Sequence, residues 1–215
     1  MNRFDAVLFD LDGTLLYTLP DMREALNRAL TLCGHPTHTL EAVRSFVGNG
    51  VRKLVERAVP AGADPDPVYE AYEAWYARHG QDHVTVYPGI RETLAALRAP
   101  GLRTGVVTNK NHDDAVPMIE RFFGPDMDVT EGKRPGRPVK PSPESLWDAL
   151  KYLGVPRERA LYVGDSGVDA ATAANAGLAC VLVSWGYRDR AELETCRALG
   201  VIDRPEELID YIKVE

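Results

Sequence analysis

One short run near the start of the chain reads Phe4-Asp5-Ala6-Val7-Leu8-Phe9-Asp10-Leu11-Asp12-Gly13-Thr14. Its apolar centre has no polar alternation, which is typical of a strand buried on both faces of a parallel sheet. Asp10 and Asp12 then fall at the carboxyl end of that strand, the edge at which open α/β sheets bind ligands. Gly13 allows a tight turn away from the sheet, and Thr14 offers a hydroxyl group to fix the loop. We therefore expect the chemistry of the protein at this point.

A calcium loop is an alternative for the same run, because Asp-x-Asp also opens an EF-hand. That motif requires glycine at its sixth position and glutamate at its twelfth. The chain has Leu15 and Asp21 there, so the pattern does not fit an EF-hand.

The whole-chain composition is that of an ordinary globular protein, with 215 residues of which 45% are hydrophobic and 27% charged. This length suits one large domain, or a core domain that carries a smaller insert. A net charge of -7 argues against a protein that binds nucleic acid or an anionic membrane over most of its surface. The sequence leaves open whether the protein is a monomer or a homodimer.

Cellular location is predicted from two features. Asp5 and Asp10 interrupt the apolar run near the N-terminus, so we expect neither a signal peptide nor a membrane span there. Cys33, Cys180 and Cys196 are widely spaced and match no metal-ligand pattern, which favours reduced thiols. We therefore expect a cytoplasmic protein.

Residues 17–86 predict an all-helical block of roughly four helices, because apolar residues recur there at helical spacing. One stripe is aromatic and consists of Tyr69, Tyr72, Trp75 and Tyr76. An aromatic platform for nucleic acid is conceivable, but in an acidic protein such a stripe is more typical of a helix that faces the core.

From Tyr87-Pro88-Gly89 onward, predicted strands alternate with predicted helices, which implies a parallel sheet with helices on both faces. Strands are predicted at 104–107, 126–130, 160–163 and 180–183. We therefore predict an α/β fold with a Rossmann-like parallel-sheet core, formed by 1–16 and 87–215. A small all-helical cap, 17–86, is inserted after the first strand.

Polar side chains follow three of the predicted strands: Asp10 and Asp12, Thr108 and Asn109, and Asp165 and Asp169. Parallel strands bring these ends to one edge, where the carboxylates of Asp10, Asp12 and Asp165 would repel each other. A hard cation such as Mg²⁺ would relieve that repulsion. Thr108, its neighbouring backbone N–H groups and Lys140, which comes just before a helix, would then form a phosphate cradle.

Phosphate monoester hydrolysis matches this set of groups. It is among the slowest uncatalysed reactions, with enzymatic accelerations of up to about 10²¹. A covalent aspartyl phosphate divides the reaction into two easier steps, while a metal ion and a lysine hold the phosphoryl charge.

These residues, in this order, are similar to the four motifs of the haloacid dehalogenase-like phosphatases, and the resemblance covers essentially the whole chain. The matching segments are Asp10-Leu11-Asp12-Gly13-Thr14, Thr108-Asn109, Lys140-Pro141-Ser142-Pro143, and Gly164-Asp165-Ser166 with Asp169. The helical block also resembles the cap of the phosphoglycolate phosphatase-like branch, as do Thr108-Asn109-Lys110 and Val47-Gly48-Asn49-Gly50.

The resemblance implies a role for each matching residue. Asp10 would be the nucleophile and a metal ligand, and Asp12 the general acid/base, with its backbone carbonyl also a metal ligand. Asp165 would bind Mg²⁺ with Asp169 in support. The phosphate group would be held by Thr108, Asn109 and Lys140.

One position departs from the family pattern. The family commonly has an acid three residues after the threonine of its first motif, and this chain has Tyr17 there. We expect the metal cluster to survive this change, while the entry loop, the cap hinge and the substrate choice are affected.

Several rival functions remain to be weighed. Gly164-Asp165-Ser166-Gly167 looks like the nucleophile tag of trypsin-like proteases, but those are all-β proteins, whereas this chain is α/β and has no suitably placed early histidine. A dehalogenase proper would share the nucleophile but should lack the second aspartate, so Asp12 argues against that function. A phosphomutase stays open, as does a phosphatase of a sugar phosphate, a nucleotide or pyrophosphate. A catalytically silent interaction module on the same fold is the non-enzyme alternative, against which the intact Asp10 and Lys140 argue.

The cap suggests a substrate. Gly48-Asn49-Gly50 opens a helix whose free N–H groups favour an anion, and Arg52 and Lys53 follow at once. These two cations are either solvated surface residues or, with Asn49 and Gly50, the receptor of a substrate carboxylate under a closing lid. The second interpretation predicts a small phosphorylated acid, with 2-phosphoglycolate as the best candidate.

Overall fold

A computed structural model describes residues 2–99 and 101–213. Within these ranges the strands are β1 (Ala6–Phe9), β2 (Leu16–Tyr17), β3 (Thr85–Val86), β4 (Arg103–Asn111), β5 (Val129–Lys133), β6 (Ala160–Gly164), β7 (Ala179–Val183) and β8 (Gly200–Ile202). The α-helices are α1 (Leu19–Leu32), α2 (Leu40–Phe46), α3 (Val51–Ala58), α4 (Asp66–His79), α5 (Ile90–Arg98), α6 (His112–Phe122), α7 (Glu144–Leu153), α8 (Gly167–Ala176), α9 (Arg190–Leu193) and α10 (Leu208–Ile212). Short 3₁₀ helices cover Gly124–Asp126, Arg157–Arg159 and Pro205–Glu207.

Six strands form one parallel sheet in the order β5-β4-β1-β6-β7-β8. The first strand lies in the middle, where Phe9 is level with Val106 of β4 and Val163 of β6. The three strands that precede the polar motifs are therefore direct neighbours, and their carboxyl ends meet at one edge. This confirms the predicted α/β architecture.

Two hydrophobic layers cover the sheet, because alternate residues of each strand point to opposite faces. Val7 and Phe9 face one layer, which α5, α6 and α10 complete. Ala6 and Leu8 face the other, which α7 and α8 complete. Every residue of β1 is buried, as expected for a central strand with helices on both sides.

Two strands differ from the sequence prediction. β4 continues through the polar residues 108–111, whereas the sequence predicted a strand only at 104–107, and its pairing with β5 shifts register between Val107 and Asn111. These polar side chains stay in the strand because partners inside the protein bind them. β5 spans Val129–Lys133 rather than 126–130, since a 3₁₀ helix occupies Gly124–Asp126.

The four helices α1–α4 are called here the helical insert. They pack around their own apolar cluster, to which the aromatic stripe contributes Tyr72 and Tyr76. The insert is flanked by β2 and β3, which pair antiparallel to form a two-stranded link to the core. Over the described ranges, no helix combines the length and hydropathy that crossing a membrane would require.

Candidate active site

Asp10 and Asp12 leave the end of β1 through a turn that requires glycine. The Asp10 N–H donates to the carbonyl of Val163 at 2.8 Å, so the first residue after the strand is still fixed to the sheet. Gly13 has φ +87°, and a Cβ there would lie 2.3 Å from the Oδ2 atom of Asp165. A side chain at this position would therefore disturb both the turn and the neighbouring carboxylate.

Lys140 lies at the centre of the buried polar groups. Its Nζ atom is 2.8 Å from Asp10 Oδ1 and 2.7 Å from Asp169 Oδ1, and it donates to the hydroxyl of Tyr162 at 3.0 Å. Burial acts to lower the pKa of Lys140, but Asp10 and Asp169 outweigh it and hold the pKa well above its ordinary value. The lysine is therefore a permanent cation beside Asp10.

Asn109 fixes the backbone of Lys140. Its Oδ1 accepts from the N–H of Lys140 at 2.8 Å, and its Nδ2 donates to the carbonyl of Lys140 at 3.2 Å and to that of Gly48 at 3.3 Å. The side-chain amide is thus engaged in positioning the lysine. Direct phosphate binding by Asn109 stays a prediction.

Asp10, Asp165 and Asp169 each have a carboxylate oxygen within 4.8 Å of the others. Asp165 Oδ2 accepts from the N–H of Tyr187 at 2.7 Å, while both oxygens of Asp169 have partners in Lys140 and Ser166. Burial raises the pKa of Asp10 to about 6 although Lys140 opposes it. Burial followed by repulsion from Asp169 and Asp10 raises the pKa of Asp165 well above its usual range.

These residues fit a hard divalent cation. Asp10 Oδ1 is fully buried, and the ammonium group of Lys140 at 2.8 Å is its charged neighbour. Oxygen ligands from two desolvated carboxylates are the donors that Mg²⁺ prefers. Asp10 and Asp165 would hold the ion, and Asp169, whose oxygens are already engaged, would support them.

Asp12 has a separate set of partners from those of Asp10. Thr18 Oγ1 donates to Asp12 Oδ1 at 2.7 Å, and Lys110 Nζ donates to both carboxylate oxygens at 3.1 and 3.2 Å. Lys110 also donates to the hydroxyl of Tyr76 in α4 at 2.8 Å. Asp12 is therefore oriented by three hydrogen bonds from two groups, Thr18 and Lys110, and Lys110 also contacts the helical insert.

Sequence reasoning gave Lys110 no role, although it directly follows the second motif. Burial acts to lower the pKa of Lys110, but Asp12 outweighs it and the pKa is raised. The sequence did contain one indication of a role for Lys110: it follows a predicted buried strand closely, and a charge in such a place needs a partner. Thr108, the preceding motif residue, is 5% exposed and lines the same cavity.

The cavity lies between the strand edge and the helical insert and has a volume of about 50 Å³. Its floor is polar and includes Asp10, Asp12, Lys140 and Asp165, whereas its roof is largely apolar. The roof is formed by Met22, Val47, Val51, Leu54, Tyr72 and Tyr76. The site therefore suits a small ligand whose charged end faces the core.

The predicted carboxylate receptor in the insert requires correction. Gly50 lines the cavity, but Arg52 pairs with Glu56 and Asp66, Lys53 pairs with Glu56, and these two cations are 42% and 58% exposed on the surface. Asn49 accepts from Arg57 instead of facing the cavity. Both cations point outward because α3 turns its apolar residues toward the roof, so this arrangement supports the solvated-surface interpretation.

Tyr17 takes the place of the family acid in the link between core and insert. Its ring lies 6.0 Å from that of Tyr87 and 6.5 Å from that of Tyr187. Tyr187 in turn accepts from the N–H of Thr18 at 3.0 Å. The link is therefore packed by aromatic rings, and the metal cluster does not involve this position.

Known proteins match this chain over most of its length. The model of the family described as haloacid dehalogenase-like hydrolase matches residues 7–183. A phosphoglycolate phosphatase of Chromobacterium violaceum is 37% identical, with 99% of this chain and 98% of that protein covered. A phosphoglycolate phosphatase of Pseudomonas savastanoi pv. phaseolicola is 36% identical, with 94% of this chain and 78% of that protein covered.

Solved structures agree with these sequence matches. A candidate phosphoglycolate phosphatase from Lactobacillus delbrueckii subsp. bulgaricus superposes with a TM-score of 0.93 at 29% identity, covering 99% of this chain and all of that one. CbbY from Rhodobacter sphaeroides, solved in complex with phosphate, gives a TM-score of 0.79 at 28% identity and covers 95% of this chain and 96% of that one. The phosphatase class predicted from the motifs is confirmed. The motif residues meet at one edge of the sheet, and the stretch that the family model matches includes all of them. The chain therefore belongs to the haloacid dehalogenase-like hydrolases.

Proposed function

We propose that the protein is a Mg²⁺-dependent phosphomonoester hydrolase that acts through an aspartyl phosphate on a small phosphorylated acid, with 2-phosphoglycolate as the best candidate. The observation that carries the proposal is the buried Asp10 carboxylate, held 2.8 Å from the Nζ atom of Lys140 at the floor of a small cavity. A nucleophile and a fixed cation at this distance can share one phosphoryl group between them.

In the first step, a carboxylate oxygen of Asp10 attacks the phosphorus atom while Lys140 neutralises charge on the phosphoryl oxygens. Thr108 at the end of β4 offers its hydroxyl group to the same phosphate. When bound, Mg²⁺ would supply further positive charge at these oxygens. The bond between phosphorus and the ester oxygen breaks, and Asp12 donates the proton that the leaving alkoxide needs.

In the second step, Asp12 takes a proton from water, which attacks the phosphorylated Asp10 and releases inorganic phosphate. Thr18 and Lys110 hold the Asp12 carboxylate in one orientation for both transfers. Two carboxylates are therefore used in distinct roles, one as nucleophile and one as acid and base.

The substrate class follows from the cavity and the relatives. A volume of about 50 Å³ under an apolar roof favours a small substrate, and the relatives at 36% and 37% identity are named as phosphoglycolate phosphatases. Lys110 is a cation that lines the cavity beyond the phosphate cradle, so a carboxylate on the substrate would meet positive charge. This replaces the earlier assignment to Arg52 and Lys53.

The test is a substrate panel with metal-stripped protein. Phosphate release is measured with and without MgCl₂ from 2-phosphoglycolate, 3-phosphoglycerate, glucose 6-phosphate, pyrophosphate and an aryl phosphate. We expect Mg²⁺-dependent hydrolysis with the highest kcat/KM for 2-phosphoglycolate. Arg52→Ala and Lys53→Ala serve as surface controls and should keep that preference.

The covalent step is tested separately by acid quench during turnover, followed by mass spectrometry of the peptide that contains Asp10. A phosphorylated peptide that hydroxylamine cleaves to a hydroxamate supports the proposal. Preference for a sugar phosphate or pyrophosphate would overturn the substrate assignment, and near-wild-type activity of Asp10→Asn would overturn the nucleophile.

A further inference from the structure

The loop that follows β7 connects the catalytic core to the helical insert. Trp185 Nε1 donates to the carbonyl of Thr14 at 3.0 Å, and the N–H of Tyr187 donates to Asp165 at 2.7 Å. Gly186 lies so close to Asp165 that a Cβ would be 2.3 Å from the Cβ of that residue. The base of the loop is thereby fixed against the active site.

Arg188 extends from this base into the insert. Its Nη1 donates to the carbonyl of Arg44 at 3.2 Å, and its Nη2 donates to the carbonyl of Val47. Arg44 belongs to the last turn of α2 and Val47 follows it, so these are carbonyls that the helix itself leaves without partners. A cation is also favoured at the negative end of a helix.

The side chain of Arg188 is 18% exposed. Solvent therefore screens its contacts with α2 less than it screens the surface ion pairs of the insert. Its remaining charged neighbour is Glu192, at 3.7 Å from Nε. The guanidinium group is thus committed mainly to backbone carbonyls, those of Arg44 and Val47 in the insert and, from Nη1 at 3.3 Å, that of the adjacent Tyr187.

Residues 47–50, called here the roof segment, begin at one of these carbonyls. Val47, Gly48 and Gly50 all line the cavity. Asn109 donates to the carbonyl of Gly48 at 3.3 Å, and a Cβ on Gly48 would lie 3.2 Å from Arg188 Nη2. Two core residues, Asn109 in β4 and Arg188 after β7, therefore contact the roof segment, and these two strands lie on either side of β1.

We infer that Arg188 is a positioning residue, which orders the roof segment over the substrate by holding the end of α2 from the core. The inference rests on the proposed function, because it assigns to that segment the enclosure of a small phosphorylated acid. Arg188 acts through the roof segment, so its loss weakens substrate binding more than it slows the chemical step.

The first measurement is amide hydrogen exchange without substrate. In Arg188→Gln, exchange at residues 47–54 should become roughly tenfold faster, while α7 on the far side of the core keeps its wild-type rates. Arg190→Gln is the matched control, since Arg190 lies in the same part of the chain but pairs with Glu194 and Asp203 on the surface. That control should leave exchange at 47–54 unchanged.

The second measurement is steady-state kinetics with the ester that the panel shows to be hydrolysed best. Arg188→Gln should raise KM roughly tenfold, the effect of losing a charge-assisted hydrogen bond, with kcat changed by less than about threefold. Arg188→Lys should fall between wild type and Arg188→Gln, because a lysine keeps the charge but not the fork that reaches two carbonyls. Arg190→Gln should match wild type.

Unchanged exchange at 47–54 in Arg188→Gln would overturn the inference, and so would faster exchange with an unchanged KM. If Arg188→Gln does not fold, the same two measurements are made on Arg188→Lys. Unchanged exchange at 47–54, or faster exchange with an unchanged KM, would then overturn the inference. The exchange measurement needs no turnover, so failure of phosphoglycolate hydrolysis is distinguishable from failure of the role of Arg188.

Discussion

The Asp10 carboxylate should destabilise the metal-free protein, and Asp10→Asn should relieve this. Burial raises the pKa of Asp10 from 3.8 to about 6, even with Lys140 beside it. At about 1.36 kcal/mol for each pH unit, this corresponds to about 3 kcal/mol of folding free energy lost when the group ionises. Asparagine has nearly the same shape without the charge, so the inactive variant should be more stable by about that amount.

The sign of the pH dependence follows from linkage. Because the pKa of Asp10 is higher in the folded protein than in the unfolded chain, the folded state binds this proton more tightly. Its contribution to stability is therefore fully present below about pH 4 and is lost as the pH rises through about 6. The advantage of Asp10→Asn should be largest at pH 7.5 and should shrink toward pH 4.

The assay is urea unfolding of wild type and Asp10→Asn in EDTA at pH 7.5 and at pH 5. Asp5→Asn is the control, since the hydrogen bond from Arg159 lowers the pKa of this exposed residue and the variant should lose a little stability at pH 7.5. Added Mg²⁺ should stabilise wild type more than Asp10→Asn. If the variant is no more stable than wild type at pH 7.5 without metal, the account of Asp10 as a desolvated ligand is wrong.

Three further outcomes are expected. Asp12→Asn should lower kcat by about 10² to 10⁴ for 2-phosphoglycolate but less for an aryl phosphate, whose leaving group needs no proton; equal losses in both assays would contradict the acid role. Lys140→Met should abolish phosphate release and lower the free energy of unfolding by about 3–5 kcal/mol, because it leaves buried carboxylates unpaired; urea unfolding measures this loss, and adding Asp10→Asn should restore part of it. The hydrogen bond to Asp21 raises the pKa of His83, so wild type should lose stability relative to His83→Gln as the pH rises above about 6.5, and parallel urea unfolding curves that show no such trend would refute the role of the pair.

The sequence predicts the central strands and the motif residues well for one physical reason. β1 and β6 are buried on both faces, so each appears as an uninterrupted apolar run that stops at an acid. The parallel order then brings Asp10 and Asp165 together without any knowledge of side-chain packing. The helices of the insert are equally visible, because each has one apolar face.

Polar residues that are buried by partners distant in the sequence cannot be identified in this way. The sequence predicts this strand only at 104–107, yet Lys110 is buried in β4 because Asp12 and Tyr76 bind its ammonium group. Arg188 reaches α2 across more than a hundred residues of sequence. Such contacts depend on tertiary structure, and hydrophobic periodicity carries no information about them.

Arg52 shows the opposite case, in which a local pattern suggested a substrate site while the structure places the side chain in surface ion pairs. Its partner Glu56 lies four residues along the same helix, a spacing that stabilises exposed ion pairs. The spacing of Arg52 and Glu56 in the sequence already allowed a surface ion pair. The net negative charge of the protein gave no reason to prefer a substrate carboxylate as the partner of Arg52.

Tyr17 explains why an active core can tolerate the loss of the usual acid at that position. The residue lies in β2, where its side chain joins Tyr87 and Tyr187 in an aromatic group beside the link between core and insert. Tyr187 also binds Thr18, and Thr18 binds Asp12. Tyr17 therefore contributes packing rather than charge to the link, so substitutions at Tyr17 should change the packing of the link and leave the Asp10, Lys140 and Asp165 arrangement intact.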